Sequence, residues 1–333
     1  MMSVLLMCCT LFGAGAGDPQ PVVIYAALDR GFSEPILEAF ERTTGIDVRV
    51  VYDAEATKTI GLVNRIRAEK NRPRCDVFWN NEIVNTIRLK QEGLLQPCNP
   101  PEAANYPKQF KDAAGYWYGF AARARVLIVN TKLVKTGTEP KSIFDLTNAK
   151  WKNKVGIAKP LFGTTASHVA CLFASLGEKQ AAQWLADLKA NEVQILSGNR
   201  GCAQAVGRGE LHCGLTDTDD AMLEIAAGSP VKIVYLDIGP NQIGTLFIPN
   251  TLSVVKDCPN PKGAEKLINY LLSVEVETKL SQGPSAQIPL NTKFAGQARV
   301  KTPRQVKPMK VDFAEAARRF KQAAKYIQEH FLN

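Results

Sequence analysis

The chain has 333 residues, 45% of them hydrophobic, and 41 Lys and Arg against 32 Asp and Glu give it a formal net charge of +9. That is enough apolar material for one large or two medium domains with substantial cores, and the basic excess favours anionic partners or surfaces. The cations are scattered singly, and RNA-binding aromatic motifs, zinc-finger spacing and basic helices are absent, which argues against nucleic acid as a partner; three histidines without a Gly-x-Ser-x-Gly or His-Glu-x-x-His motif leave little material for catalysis.

Residues 1–17 read as an export signal, with an apolar core from Val4 to Phe12 and a small-x-small stretch at Ala14-Gly15-Ala16, though without the usual preceding cation. Cys8 and Cys9 suggest a lipid tether, but Leu5-Leu6-Met7 lacks the small residue expected before a lipidated cysteine. From Asp18 onward no segment is apolar for long enough to cross a bilayer.

The continuous apolar run over 21–27 suits a buried parallel strand. Ser33-Glu34-Pro35 then opens a helix with Phe32, Ile36, Leu37 and Phe40 on one face, and Thr44-Gly45 ends it. A strand over 46–51, a helix over 55–70, a strand over 76–79 and a helix over 83–93 follow. Alternation of this kind predicts an α/β fold with a mainly parallel sheet. Residues 97–118 read as surface loop, and a strand then passes through two arginines to Asn130. Further strands are predicted over 155–158, 193–196, 211–215, 231–236 and 244–248. Helices are predicted over 167–176, 179–190, 202–207, 219–227, 261–272, 274–283 and 312–331. No flexible linker separates the halves, so the expectation is two α/β lobes with more than one crossing between them. Ligands of open α/β sheets sit at the carboxyl ends of strands, and two such edges facing each other make a hinged cleft.

The polar residues after each strand are the candidates for that cleft. Asp29 follows the first strand and Asn81-Glu82 the third; either acid also suits a helix cap. Arg123 and Arg125 alternate along their strand, so that one is expected to face solvent while the other grips a carboxylate or phosphate with paired hydrogen bonds. Gly163, Thr164, Thr165 and Ser167 open a helix, whose free N–H groups can be capped locally or hold an anion. Asn199 follows another strand. Asp217, Thr218, Asp219 and Asp220 put three acids into four residues; a helix N-terminus accounts for one or two of them at about 0.3–1 kcal/mol each, but less readily for three. His212 is expected in the core. Six cysteines remain beyond the leader, and either Cys75 and Cys98 meet at one end of a βα unit or all six are buried thiols.

Taken in order and spacing, Val23–Ala27, Phe40–Val48, Asp76–Trp79, Glu92–Leu95, Gly119–Asn130, Trp151–Ala158 and Gln287–Leu290 resemble the ferric-iron-binding branch of bacterial extracellular solute-binding proteins. The resemblance implies a periplasmic receptor, not an enzyme and without an organic cofactor, that closes on a small ligand or metal ion and delivers it to an ABC importer permease. The fold implied is two-lobed, of the type II periplasmic-binding-protein kind, with lobes built from 18–121 plus about 246–300 and from 122–245 plus about 301–333, acting as a monomer. Iron-binding members hold Fe(III) with a His, a Glu and a Tyr-Tyr pair, and a synergistic anion sits near an Arg and a helix start. Here those positions fall on Asp29, on Asn81 with Glu82 beside it, on Thr218-Asp219, on Arg123 and on Gly163–Ser167. The phenolates are absent, but Asp29, Glu82 and Asp219 remain as hard oxygen donors for a metal. Asp29 and Asp219, with Arg123 and Thr164, would also hold a zwitterion such as an aminophosphonate.

Overall fold

The computed structural model describes residues 20–53 and 59–333; the leader lies outside them. The chain forms the expected α/β fold. Strand β1 (Val22–Ala26) is flanked by the parallel strands β2 (Val48–Tyr52) and β3 (Val77–Asn80). Helices α1 (Arg30–Thr44), α2 (Ile60–Ala68) and α3 (Ile83–Gln91) follow these strands. Helix α1 starts three residues before the predicted opening and carries Pro35 in its second turn. The predicted first residues of α2 fall partly outside the described residues.

Two long strands join the halves of the molecule. Strand β5 (Tyr118–Asn130) pairs antiparallel with β10 (Phe247–Val255) over its first half, and with β8 (Cys213–Asp217) and β9 (Val231–Val234) over its second. The short β4 (Leu95–Gln96) also lies on β10. Beyond β8 come the parallel strands β6 (Val155–Ala158) and β7 (Gln194–Leu196), giving the order β2-β1-β3-β10-β5-β8-β6-β7. The sequence signal for β10 stops at Ile248 because Pro249 cannot donate to a ladder. The structure absorbs the proline in a register shift between Ile248 and Asn250, and the strand runs on to Val255.

There are two large apolar cores. The first gathers Ile24, Phe78, Leu252, Leu267 and Ile288; the second gathers Leu127, Val155, Phe173, Trp184 and Phe320. Helices α8 (Pro261–Leu271) and α9 (Val274–Gln282) serve the first, and α4 (Gly163–Leu176), α5 (Glu178–Ala190) and α10 (Phe313–Tyr326) the second. Helix α3 follows a strand of the first half, yet Ile83, Val84 and Ile87 pack into the second core. A third crossing lies near Val306 and Met309, which belong to the first and second cores respectively.

Candidate functional site

Five βα turns face one pocket. In the second half, β6 leads into α4, β7 into α6 (Asn199–Gly207) and β8 into α7 (Thr218–Ala226), so three helix N-termini converge. Gly163 opens α4 at φ 55°, a left-handed turn that favours glycine. Gly214 lets α6 approach the sheet, because a Cβ there would run into Cys202 Sγ. From the first half come Leu28 and Asp29 ahead of α1, and Asn81 ahead of α3. The pocket so lined is partly open to solvent and is polar, with Arg123, Lys159, Arg200 and four aspartates around it.

Both arginines of β5 are buried, with side chains 4% and 1% exposed at Arg123 and Arg125. The expectation that one faces solvent fails for a simple reason: residues two apart on a strand share a face. In the antiparallel ladder Arg125 lies directly across from Asp217, and its Nη1 donates to Asp217 Oδ1 at 2.8 Å and Asn199 Oδ1 at 3.0 Å. The other Asp217 oxygen accepts from Thr164 Oγ1 at 2.5 Å and Asn199 Nδ2 at 3.0 Å. Asn199 also receives Thr165 Oγ1 at 3.0 Å. Asp217 stands at the N-cap position of α7 but makes no capping bond. Burial raises the pKa of its carboxyl, but Arg125, Arg123 and the Thr164 hydroxyl outweigh burial and hold it below the usual range.

Asp219 faces Arg123 at 3.6 Å, and both side chains are buried. Arg123 also donates to the backbone carbonyl of Asn81, while the Asn81 side chain accepts from Thr59 Oγ1 at 2.5 Å. Burial disfavours the Arg123 cation, but the facing acids Asp219, Asp217, Asp220 and Asp29 more than restore it and raise its pKa. Asp219 Oδ1 accepts the Asp220 N–H at 3.0 Å. One carboxylate oxygen each of Asp217, Asp219 and Asp220 lies within 4.8 Å of the other two.

Not every candidate reaches the pocket. Glu82 is fully buried, does not line it, and is the N-cap of α3. Its oxygens accept from Val84 N (2.7 Å), Asn85 N (3.0 Å), Asn80 Nδ2 (3.0 Å) and Ser167 Oγ (2.6 Å), so the expected metal ligand has its acceptors in use as a cap. Ser167 and Thr218 are likewise drawn inward, Thr218 Oγ1 accepting from Ala124 N at 3.2 Å. His212 precedes β8 and is half-exposed rather than in the core, whereas His168 is buried and its pKa pushed down to about 3 by burial and Arg125. The six described cysteines are free thiols, so Cys75 and Cys98 are not bridged.

Arg125, one of the two strand arginines named as candidates, does not line the pocket, whereas Lys159, Phe162, Ser197 and Arg200 do. All four occupy the same βα turns as residues that were singled out, so position after a strand was the usable signal. Arg200 Nη1 reaches the Asp220 carbonyl at 3.4 Å and Glu224 at 3.3 Å.

The sequence profile of bacterial extracellular solute-binding proteins matches residues 36–308. The chain is 28% identical over 292 residues to Iron uptake protein A1 of Synechocystis, covering 84% of this chain and 80% of that one. It is 29% identical over 258 residues to a provisionally named 2-aminoethylphosphonate-binding periplasmic protein of Salmonella typhimurium, covering 76% and 73%. Iron-bound HitA from Pseudomonas aeruginosa superposes with a TM-score of 0.83 at 26% identity, covering 92% of this chain and 99% of that structure.

Proposed function

The chain belongs to the bacterial extracellular solute-binding protein family, and we propose that it is a monomeric periplasmic receptor that captures a hard metal ion, with ferric iron first, for an ABC importer permease. One lobe comprises the described part of 18–121 with about 246–300, the other 122–245 with about 301–333; two cores joined by three crossings support that division.

The observation that carries the metal reading is the grouping of carboxylate oxygens within 4.8 Å at the mouth of α7, with Asp29 on the opposite wall. Asp219 and Asp220 of that group, with Asp29, are the donors assigned to the ion, and Asp217, paired with Arg125, braces the group from behind. All three are hard oxygen ligands, the kind ferric iron takes. A small synergistic anion completes the arrangement beside Arg123 and the first turns of α4 and α6, because helix starts favour negative charge and Gly163, Thr164, Thr165, Asn199 and Arg200 line the pocket. The iron named for the Synechocystis and Pseudomonas relatives supports this assignment.

A second reading has its own support. Asp219 already faces Arg123 at 3.6 Å, and the three lining cations Arg123, Arg200 and Lys159 balance Asp29, Asp219 and Asp220. Such a balanced pocket suits a zwitterion, its amine at the acids and its phosphonate or carboxylate at Arg123, Thr165 and the helix starts. The Salmonella relative supports that ligand class. Calorimetry of the metal-stripped protein against ferric citrate and against 2-aminoethylphosphonate separates the readings: heat only with the phosphonate ends the metal reading.

A further inference from the structure

Among the charges grouped around the pocket, Arg125 does not line it. Its side chain is 1% exposed, behind Asp217, which is 4% exposed. From β5 it reaches residues at the starts of three helices: Asp217 before α7 at 2.8 Å, Asn199 on α6 at 3.0 Å and Thr164 on α4 at 3.5 Å. Asn199 and Thr164 bond to each other at 2.7 Å and both bond to Asp217. Without this cation Asp217 would keep its bonds from Thr164 and Asn199 but lose its direct ion-pair partner, leaving a buried carboxylate crowded against Asp219 and Asp220, a costly arrangement in a low-dielectric setting.

We propose that Arg125 is a positioning residue for ligand capture: by neutralising Asp217 it fixes the first turns of α4, α6 and α7 in one frame, so that Thr165, Asn199 and Asp219 meet the ligand together. The inference rests on the reading of this pocket as the receptor's ligand site. It assigns Asp217 to the frame, and it explains why an acid at an N-cap position leaves its helix uncapped. Residues that orient direct ligands commonly change affinity by about ten- to a hundredfold when removed.

The test compares the parent, Arg125→Met and the double variant Arg125→Met/Asp217→Asn, each stripped of metal and titrated with ferric citrate and separately with 2-aminoethylphosphonate, with unfolding midpoints recorded in parallel. For whichever probe binds the parent, Arg125→Met is expected to bind about ten- to a hundredfold more weakly. The double variant, in which no carboxylate is stranded, is expected to bind more tightly than Arg125→Met. Parent-like affinity in Arg125→Met overturns the inference while leaving the receptor reading intact, and so does a folded double variant no better than the single one. If Arg125→Met does not fold, the double variant decides: folding with binding supports the inference, and failure of either overturns it. A parent that binds neither probe removes the ligand reading itself, and the inference with it.

Discussion

Arg125 and Asp217 face each other across neighbouring antiparallel strands and form a buried ion pair at 2.8 Å. The pair resolves the electrostatic problem posed by three acids in four residues. One acid is neutralised from behind, one pairs with the buried Arg123 at 3.6 Å, and Asp220 lies at the start of α7, where the helix dipole favours a negative charge.

The second lobe's half of the pocket is cross-braced by its own hydrogen bonds, whereas the first lobe contributes Leu28, Asp29 and Asn81. Ligand is therefore expected to dock on the second lobe and be retained by closure of the first. Asp29→Ala should accelerate dissociation by about tenfold with little change in association, because changes within one interface act mostly on the off-rate. Stopped-flow tryptophan fluorescence reads both rates; a slowed association with unchanged dissociation would reverse that order.

Glu82→Gln tests the reassignment of a candidate ligand to a cap. Loss of the carboxylate weakens the bonds to Val84, Asn85 and Ser167, and stability should fall by about 1–3 kcal/mol. Affinity should change by less than about threefold, since Glu82 does not line the pocket. Urea unfolding with a parallel titration checks both; retained stability with lost binding would return Glu82 to the ligand shell.

Glu277 supplies a pH dependence from beneath the β5 crossing. Its Oε1 accepts the N–H of Ala121 at 3.1 Å and of Leu290 at 3.2 Å, and burial raises its pKa from the usual value to about 7 against the opposing pull of those bonds. The folded state thus holds a proton that the unfolded chain releases near pH 4.5. The stabilisation is full below that pH and is lost as pH rises to about 7, amounting to on the order of 3 kcal/mol. Urea unfolding at pH 4.5 and 7.5 should show this component in the parent and not in Glu277→Gln; identical pH profiles would show that Glu277 is not its source.

Gly214→Ala should destabilise the protein by about 1–3 kcal/mol, because the added methyl meets Cys202 Sγ and pushes α6 from the sheet. The same displacement moves Asn199, so affinity should fall as well. Gly214→Ala combined with Cys202→Ser leaves the clash in place, whereas Cys202→Gly should relieve it; thermal melting of the two double variants distinguishes them, and equal melting points would remove the steric explanation.

The alternation of apolar runs and amphipathic helices made the α/β fold readable, because β1 and β3 are buried and have no polar face to interrupt them. The site was readable as a set of turns but less so as a set of roles. Glu82 and Asp29 look alike in sequence, each an acid near a strand end, and what separates them is that α3 draws Glu82 into its first turn. The roles of Arg123 and Arg125 are not separable in the sequence, because the partner that fixes Arg125, Asp217, lies 92 residues away along the chain. Pro249 hid the second half of β10 for a similar reason: a residue that ordinarily ends a strand is tolerated here at a register shift.

The most direct test of the receptor assignment is calorimetric titration of the metal-stripped parent and Asp219→Asn with ferric citrate, and in parallel with 2-aminoethylphosphonate. The metal reading predicts saturable binding of ferric iron to the parent, weakened by at least about thirtyfold when the Asp219 charge is removed. Heat from the phosphonate alone would transfer the site to the zwitterion, and no binding of either ligand, or equal affinity in the two proteins, would contradict the account.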